Sequence, residues 1–569
     1  MNTHQSSRKP VSILLLALIF VLFTSGLLFG LVGRVRSAGP YVVNISDDGP
    51  DSDLTDGSCY WTGHGCSLRA AIQQATYDGG HTIITFLGTL ANTTLFLDAT
   101  YGTIYWTGID IVVNGETNNI TVSGQNLDPG QSVFQISGNS NLIQNLTIRD
   151  APQDGIQVGD FGNVGAGHDN TVANNYLIGN SASGVYVYGG SSGGGQNNII
   201  YGNLIGMGPI GPITCVPSEE NTDGIYVDSG TLTTTIQQNI IVCNIGNGIY
   251  LYGASHTVVE ANQIGSYGGN VLANSLNGIL IDGSNAQWNV IGGDTALTSN
   301  VISGNGWNGV MLNGAPYNEI NSNLIGLSGD GLSAIPNQSA GVAVVNHADH
   351  TDIGHMPTAT GPLFISGNLR EGIYIADSSY VRVGYENEIG RNTTGDPLGN
   401  VLEGIKLDTG VTDSDIFPNW VSYNGGAGIS AVTINRIHPY NAFQNGGLPI
   451  DLGNDGPTPN DAGGAGLGPD GWLDYPVITS VNGQLVTGIS CPDCDVRLYQ
   501  AVGNPAANGG GGEYIGWTDA NGSGVWTFTM PVQVIASQVT MIAWKGGGVT
   551  GSSEMSPRPV MYLPLVKKN

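Results

Sequence analysis

A four-residue pattern, Gly-[Ile/Val]-x-aliphatic, recurs along most of this chain and limits what it can fold into. Copies begin at Gly155, Gly184, Gly224, Gly248, Gly278, Gly309, Gly341, Gly372 and Gly404, and a weaker tenth begins at Gly428 and ends in Ala431. The steps between copies are 29, 40, 24, 30, 31, 32, 31, 32 and 24 residues. A second element, Asn-x-Ile-Gly, recurs at Asn203, Asn262, Asn289, Asn323 and Asn387. Self-similarity at this period indicates a solenoid, in which each unit buries its apolar face only against its neighbours.

The tetrad is short, β-branched and alternating, so it reads as a strand with period 2. In Gly248-Ile249-Tyr250-Leu251-Tyr252 the parity puts Ile249 and Leu251 inside and the two tyrosines outside. The same parity turns Val185/Val187, Ile225/Val227, Ile279/Ile281 and Ile373/Ile375 inward. Each glycine sits where a side chain would clash at a turn. The asparagines suit left-handed turns and can bond rung to rung in ladders. A rung of about 24 residues holds three short strands and three turns, and longer steps carry loops such as 206–221 and 326–337. The expected fold is therefore all-β: a right-handed parallel β-helix of about 10–12 rungs at about 4.8 Å per rung. Leucine-rich, TPR and WD40 patterns are absent, as is the calcium-binding nonapeptide repeat.

Composition agrees and excludes several partners. Of 569 residues, 89 are Gly and 26 Pro, 40% are hydrophobic and only 11% charged. With 16 basic residues against 44 acidic, the net charge is −28. Nucleic acid is excluded as a partner because phosphate binding needs clustered Lys and Arg. A polybasic membrane patch is excluded on the same ground.

Residues 1–38 read as a targeting segment. Arg8 and Lys9 precede an apolar run across residues 11–33, and Ser37-Ala38-Gly39 supplies small residues for cleavage. The run is long for a signal peptide and long enough to span a bilayer, so cleaved signal and retained membrane anchor both stand. Either reading exports the rest of the chain to the cell surface or beyond. Six cysteines suit an oxidising compartment, and proximity suggests Cys59–Cys66, Cys215–Cys243 and Cys491–Cys494. Cys491-Pro-Asp-Cys494 matches C-x-x-C, but it lacks βαβ context and a second Cys/His pair, so a structural disulfide is expected.

Solenoid ends need caps. In residues 66–75, Leu68, Ala71, Ile72 and Ala75 fall on one helical face behind a Ser67 N-cap, which predicts a plugging helix. The run Asp56-Gly57 … Cys66-Ser67-Leu68-Arg69 … Ala71-Ile72 resembles the CSLREA domain of secreted bacterial β-helix repeat proteins. His81-Thr82-Ile83-Ile84-Thr85-Phe86 and Val133-Phe134 … Asn145-Leu146-Thr147-Ile148 extend that resemblance. The chain departs from it at Ala70, where a Glu would close a capping box, so a weakened cap is expected. The run from Ile450-Asp451-Leu452-Gly453 to Tyr475-Pro476-Val477-Ile478 resembles the segment that ends such β-helices. Its oxygen-rich composition admits calcium, but EF-hand spacing is not met, so no cofactor is assigned. Six short strand candidates follow, at 477–481, 485–489, 496–500, 514–518, 525–530 and 539–544, which predicts an immunoglobulin-like β-sandwich. Trp517, Trp526 and Trp544 are its large aromatics. The closing residues 562–569 resemble a tail of exported proteins from Chloroflexi-type bacteria. The expected division is 1–38 leader, 39–100 cap, 101–450 β-helix, 451–474 linker, 475–557 sandwich and 558–569 tail, in a monomer.

Chemistry is sparse. Asn221-Thr222-Asp223 matches one polygalacturonase signature, but the later Asp-Asp, Gly-His-Gly and Arg-Ile-Lys elements do not follow it, and Asp154-Gly155-Ile156 shows the same rung form. A lyase would use a base and carboxylates among Arg370, Arg382, Arg391, Lys406, Asp377, Glu386, Glu388 and Asp408, though no motif fixes their geometry. His347, His350 and His355 lack metal-ligand spacing and read as solvated loop histidines. The most suggestive surface is aromatic. Tyr186, Tyr226 and Tyr250 occupy the outward tetrad position on successive copies, with Tyr188 and Tyr252 two residues on and Tyr374 repeating the position later. Asp228, Asp282 and Asp408 hold the second outward position. Such a face would suit polysaccharide, since rings cover apolar sugar faces and carboxylates fix hydroxyls; equally, tyrosine simply suits a solvent-facing sheet. The function expected is structural or adhesive with polysaccharide as partner, the alternative being a polysaccharide lyase or hydrolase.

Overall fold

The computed structural model describes residues 39–545 and 553, except 117, 161–165, 191–192, 210–212, 355–360, 434, 439–441, 457–459, 461–472, 502–510, 533 and 537–538. The expected leader (1–38), the tail (558–569), His355 and most of the linker lie outside the described residues. Among the described residues, no helix is long and apolar enough to cross a membrane.

Three long parallel sheets, of 14, 13 and 13 strands, wind as a right-handed β-helix. The tetrads form one 13-stranded sheet, running from Ile104–Trp106 to Ile450–Leu452, in flat register: Ile225 pairs with Ile249, Tyr226 with Tyr250 and Val227 with Leu251. The inward positions of the tetrads, Ile225, Ile249, Leu251, Ile279 and Ile281 among them, are wholly buried and run into one continuous apolar core. The rung number exceeds the expected 10–12, because strands such as Ile104–Trp106 and Phe134–Ile136 open the sheet without a leading tetrad glycine.

The tetrad glycines have a different cause from the one expected. They do not adopt positive φ. A Cβ at Gly155 through Gly404 would instead meet the carbonyl oxygen of the next rung's glycine at 2.5–2.8 Å. Rung-to-rung closeness, not turn geometry, requires them.

Asparagine ladders occupy all three corners. The longest runs Asn180, Asn221, Asn244, Asn274, Asn305, Asn337, Asn368, Asn400, Asn424 and Asn445, each side-chain amide donating to the next carbonyl oxygen at 2.8–3.0 Å. Their burial demands this, because an unpaired buried amide costs about 1–3 kcal/mol. Asn203, Asn262 and Asn323 share a second ladder. Asn289 stacks on Asn318 in a third, so the Asn-x-Ile-Gly motif marks two different corners.

The capping helix α1 (Leu68–Asp78) lies over the first rungs with Leu68, Ala71, Ile72 and Ala75 buried. Ser67 Oγ accepts the Ala70 N–H at 3.0 Å, and Ala70 is fully buried, so its small side chain fits where the resemblance has Glu. Arg69, also buried, pairs with Asp48 through two bonds of 2.8 Å and donates to the Thr103 carbonyl at 3.0 Å. The arginine of the Cys66–Arg69 run therefore latches the helix to two loops. Disulfides join Cys59–Cys66, Cys215–Cys243 and Cys491–Cys494.

After the solenoid, two antiparallel three-stranded sheets form a small immunoglobulin-like sandwich: Val477–Asn482, Leu485–Ile489 and Val525–Thr529 in one, Asp495–Ala501, Gly511–Asp519 and Val539–Trp544 in the other. Trp526 fills its core, whereas Trp517 is exposed and Trp544 lies against His438 and Arg497.

Candidate functional site

The tetrad sheet does bring the expected tyrosines together. Tyr186 and Tyr226 lie 5.2 Å apart between ring centroids, Tyr226 and Tyr250 4.8 Å, and Tyr188 and Tyr252 flank them at 6.3 and 6.0 Å. They are not an open ladder. Tyr226 meets Tyr250 edge to face, with planes at 82°, and Tyr186, Tyr226 and Tyr250 are half-buried; Tyr252 is exposed. A diagonal bond recurs, in which the Tyr186 hydroxyl donates to Asp228 at 2.7 Å, Tyr250 to Asp282 at 2.9 Å and Tyr374 to Asp408 at 3.3 Å. Burial, then the neighbouring carboxylates, pushes the Tyr186, Tyr226 and Tyr250 hydroxyls well above the ordinary tyrosine range. Rings and carboxylates thus bind each other across rungs. Tyr374 stands apart, because Leu280, Met311 and Ala343 occupy the intervening outward positions.

The lyase candidates do not assemble into one site. Lys406 lies 3.6 Å from Asp408 and over the Tyr374 ring on the tetrad sheet. Arg370 pairs with Glu371 at 3.3 Å. Arg382 is on the 14-stranded sheet, paired with Asp352, and Arg391 pairs with Glu388 across 3.3 Å on the third face. Asp377 and Glu386 sit in turns with positive φ. Asn221 belongs to the buried amide ladder, and Asp223 accepts the backbone N–H of Asn247 at 2.7 Å, so that segment is rung architecture. Among the described residues, no group of three or more His, Cys, Asp or Glu is placed to hold a metal.

A second aromatic column is not evident from strand periodicity. At the corner between the tetrad sheet and the 14-stranded sheet, Trp288, Tyr317, His350 and Tyr380 stack rung on rung. Centroids are 4.7–4.9 Å apart and planes diverge by 3–18°. Carbon contact near 3.5 Å within that spacing means slipped rings, overlapping like tiles, with part of each face uncovered. All four are exposed, Trp288 to 52% and Tyr380 to 49%. His350, an exposed turn histidine as expected, is also a ring in this stack.

The corner imposes an unusual backbone on these rings. Trp288, Tyr317, His350 and Tyr380 have φ of +57 to +61°, and Ser140, Asp169, Asn197, Thr233 and His256 in the same column on earlier rungs have φ of +55 to +61°. A side chain in this region costs about 1–2 kcal/mol, least for Asn and Asp. Each stacked pair returns about 0.5–1.5 kcal/mol. Four penalties against three stacking contacts leave no net stabilisation, so stability does not explain the choice of aromatics.

Beside the rings runs a charged column on the 14-stranded sheet, Glu319, Asp352, Arg382, Asp415 and Arg436. Arg382 Nε donates to Asp352 at 2.6 Å and Arg436 Nη2 to Asp415 at 2.9 Å. Bonding to Asp352 holds the Arg382 guanidinium above its already high range. Rings and charges together line an open cleft of about 410 Å³. A second cleft, of about 520 Å³, lies at the cap beside Trp61 and Asp98, with Asp48 in its wall tied to Arg69.

The family comparison accords with this architecture. Residues 54–211 match the family model described as a right-handed beta helix region. No curated protein matches the sequence. Among solved structures, a double mutant of the periplasmic alginate epimerase AlgG is similar at 12% identity and TM-score 0.39, over 66% of this chain and 75% of that one. The A-module of the Azotobacter vinelandii mannuronan C-5 epimerase AlgE4 gives 14% identity and TM-score 0.33, over 69% and 96%. The Dettilon tailspike protein gives 13% identity and TM-score 0.35, over 86% and 87%.

Proposed function

We propose that this chain is an exported β-helix protein of the cell surface or its surroundings, with a structural or adhesive role exercised by binding polysaccharide along the solenoid. In this reading residues 1–38 direct export or anchor the chain through residues 11–33, residues 39–100 form a CSLREA-type cap, residues 101–450 present the binding surface, and the sandwich and tail follow as a monomer. The observation that carries the reading is the row of exposed rings at rung spacing, Trp288, Tyr317, His350 and Tyr380, beside carboxylates and guanidinium groups in an open cleft. Flat apolar rings with flanking polar groups suit sugar rings, which are apolar on their faces and hydroxylated at their edges. Three disulfides accord with an oxidising compartment.

The alternative, a lyase or hydrolase, is less well supported, because Arg370, Lys406, Asp377 and Asp408 are separated by a corner from Arg382 on its own sheet. A glycan array decides the main point: the expected result is retention of one or more polysaccharides, and silence across the array overturns the reading. Turnover of pectin or alginate that vanishes with Lys406→Ala would restore the enzymatic alternative.

A further inference from the structure

We propose that the corner cleft built by Trp288, Tyr317, His350 and Tyr380 is a binding site for an uncharged polysaccharide chain lying along the solenoid axis; this rests on the polysaccharide-binding reading above. The rings are arranged for a linear ligand. They repeat at three steps of 4.7–4.9 Å, and each is fixed by a rung-to-rung backbone bond, with Trp288 N–H donating to the Tyr317 carbonyl at 3.0 Å, Tyr317 to Asp349 at 2.9 Å, His350 to Ser379 at 3.0 Å and Tyr380 to Thr412 at 3.1 Å. The ladder amides of Asn289 and Asn318 immediately behind the first two rings, 3.0 Å apart, anchor the corner from within. Such a row pays no reorganisation on binding, which is how a preorganised site gains affinity.

Chemistry within the cleft selects against charge. Four carboxylates, Glu319, Asp352, Asp413 and Asp415, face two guanidinium groups, Arg382 and Arg436, and both of those are held by Asp352 and Asp415. An anionic glycan would meet an excess of like charge here, on a chain whose net charge is already −28. Paired guanidinium and carboxylate groups still offer peripheral donors and acceptors of the kind sugar hydroxyls use. The column is mixed elsewhere: Ser140, Asp169, Asn197 and Thr233 hold it on earlier rungs, His256 precedes Trp288 and Asp413 follows Tyr380, so the stacked run is confined to the four rungs from Trp288 to Tyr380.

The test uses the full chain with hydroxyethylcellulose and mannan as uncharged probes and polygalacturonate and alginate as anionic ones, in affinity electrophoresis. A triple variant, Trp288→Asn, Tyr317→Asn and Tyr380→Asn, removes the rings while keeping a residue suited to the left-handed backbone, and its folding is checked by unfolding midpoint. The expected result is retardation by an uncharged probe that weakens about tenfold or more in the triple variant, while Trp517→Ala, at an exposed ring of the sandwich, leaves it unchanged. Unchanged binding in a folded triple variant overturns this site and leaves the broader reading standing. Preferential binding of the anionic probes overturns the ligand class. No binding to any glycan overturns the broader reading itself. Should the triple variant unfold, Trp288→Asn alone, the end ring of the row, makes the same test.

Discussion

Two of the aromatic columns along this solenoid solve different problems. On the tetrad strands, Tyr186, Tyr226 and Tyr250 sit on extended backbone that suits tyrosine and meet one another tilted or edge to face, and Tyr186 and Tyr250 send hydroxyls to carboxylates on the next rung. At the corner, Trp288, Tyr317, His350 and Tyr380 sit on left-handed backbone that disfavours them, lie parallel, and remain exposed. The strand column is accounted for by cohesion between rungs. The corner column is not, and a residue pattern that stability does not explain is where binding is to be sought.

That contrast breaks first if the strand tyrosines prove dispensable. Tyr226→Ala removes ring contacts to both Tyr186 and Tyr250 and opens a half-buried gap, so the unfolding midpoint is expected to fall by the equivalent of roughly 2–3 kcal/mol. A loss below the noise of a denaturant titration would remove the stabilising account of this face. Tyr186→Phe keeps the ring and deletes only the bond to Asp228, for an expected loss of about 1–2 kcal/mol by the same measurement.

A pH titration sharpens the same point. The hydroxyls of Tyr186, Tyr226 and Tyr250 are raised by burial and then by carboxylates, so the folded state holds their protons more tightly than the unfolded chain, which releases them near 10. Stability from these groups is fully present below pH 10 and falls as pH rises beyond it. Absorbance at tyrosinate wavelengths should show these tyrosines ionising only with unfolding. Asp154 acts at lower pH: burial pushes its carboxyl up to about 6 from 3.8, so its contribution is fully present below pH 3.8 and is lost as pH rises towards 6. An Asp154→Asn chain should therefore lose that part of the pH dependence in denaturant midpoints measured between pH 4 and 7.

The strands, their parity and the six strands of the sandwich were legible in the sequence because period 2 and glycine punctuation are local signals. Rungs such as the one holding Ile104–Trp106 escaped because no glycine leads them, so the solenoid is longer than the tetrads alone indicate. Asn289 resembled Asn203 because a buried amide ladder asks for the same residue at any corner. The corner aromatics were hidden for a related reason. They stand outside the strands, next to residues as different as Asn289, Thr351 and Val381, and at uneven steps of 29, 33 and 30 residues. The signal present was an aromatic or His three places before the inward Ile or Val on a run of successive rungs of the 14-stranded sheet, as in Trp288 before Ile291 and Tyr317 before Ile320. The eight lyase candidates failed to converge because nearness in sequence spans a corner, and a corner changes face.

The smallest expected effect is the most discriminating. Replacing Trp288, Tyr317 and Tyr380 by Asn exchanges three exposed rings for the residue that Asn197 already supplies in the same column. It forfeits stacking worth about 0.5–1.5 kcal/mol per pair and relieves backbone strain of about 1–2 kcal/mol per residue. The two nearly cancel, so the unfolding midpoint should shift by less than about 1 kcal/mol in either direction. A large loss would mean that the corner rings hold the rungs together as the strand tyrosines do, and the distinction between the columns would fall. A negligible shift leaves four solvent-facing aromatics that the fold does not need, beside a cleft of fixed geometry.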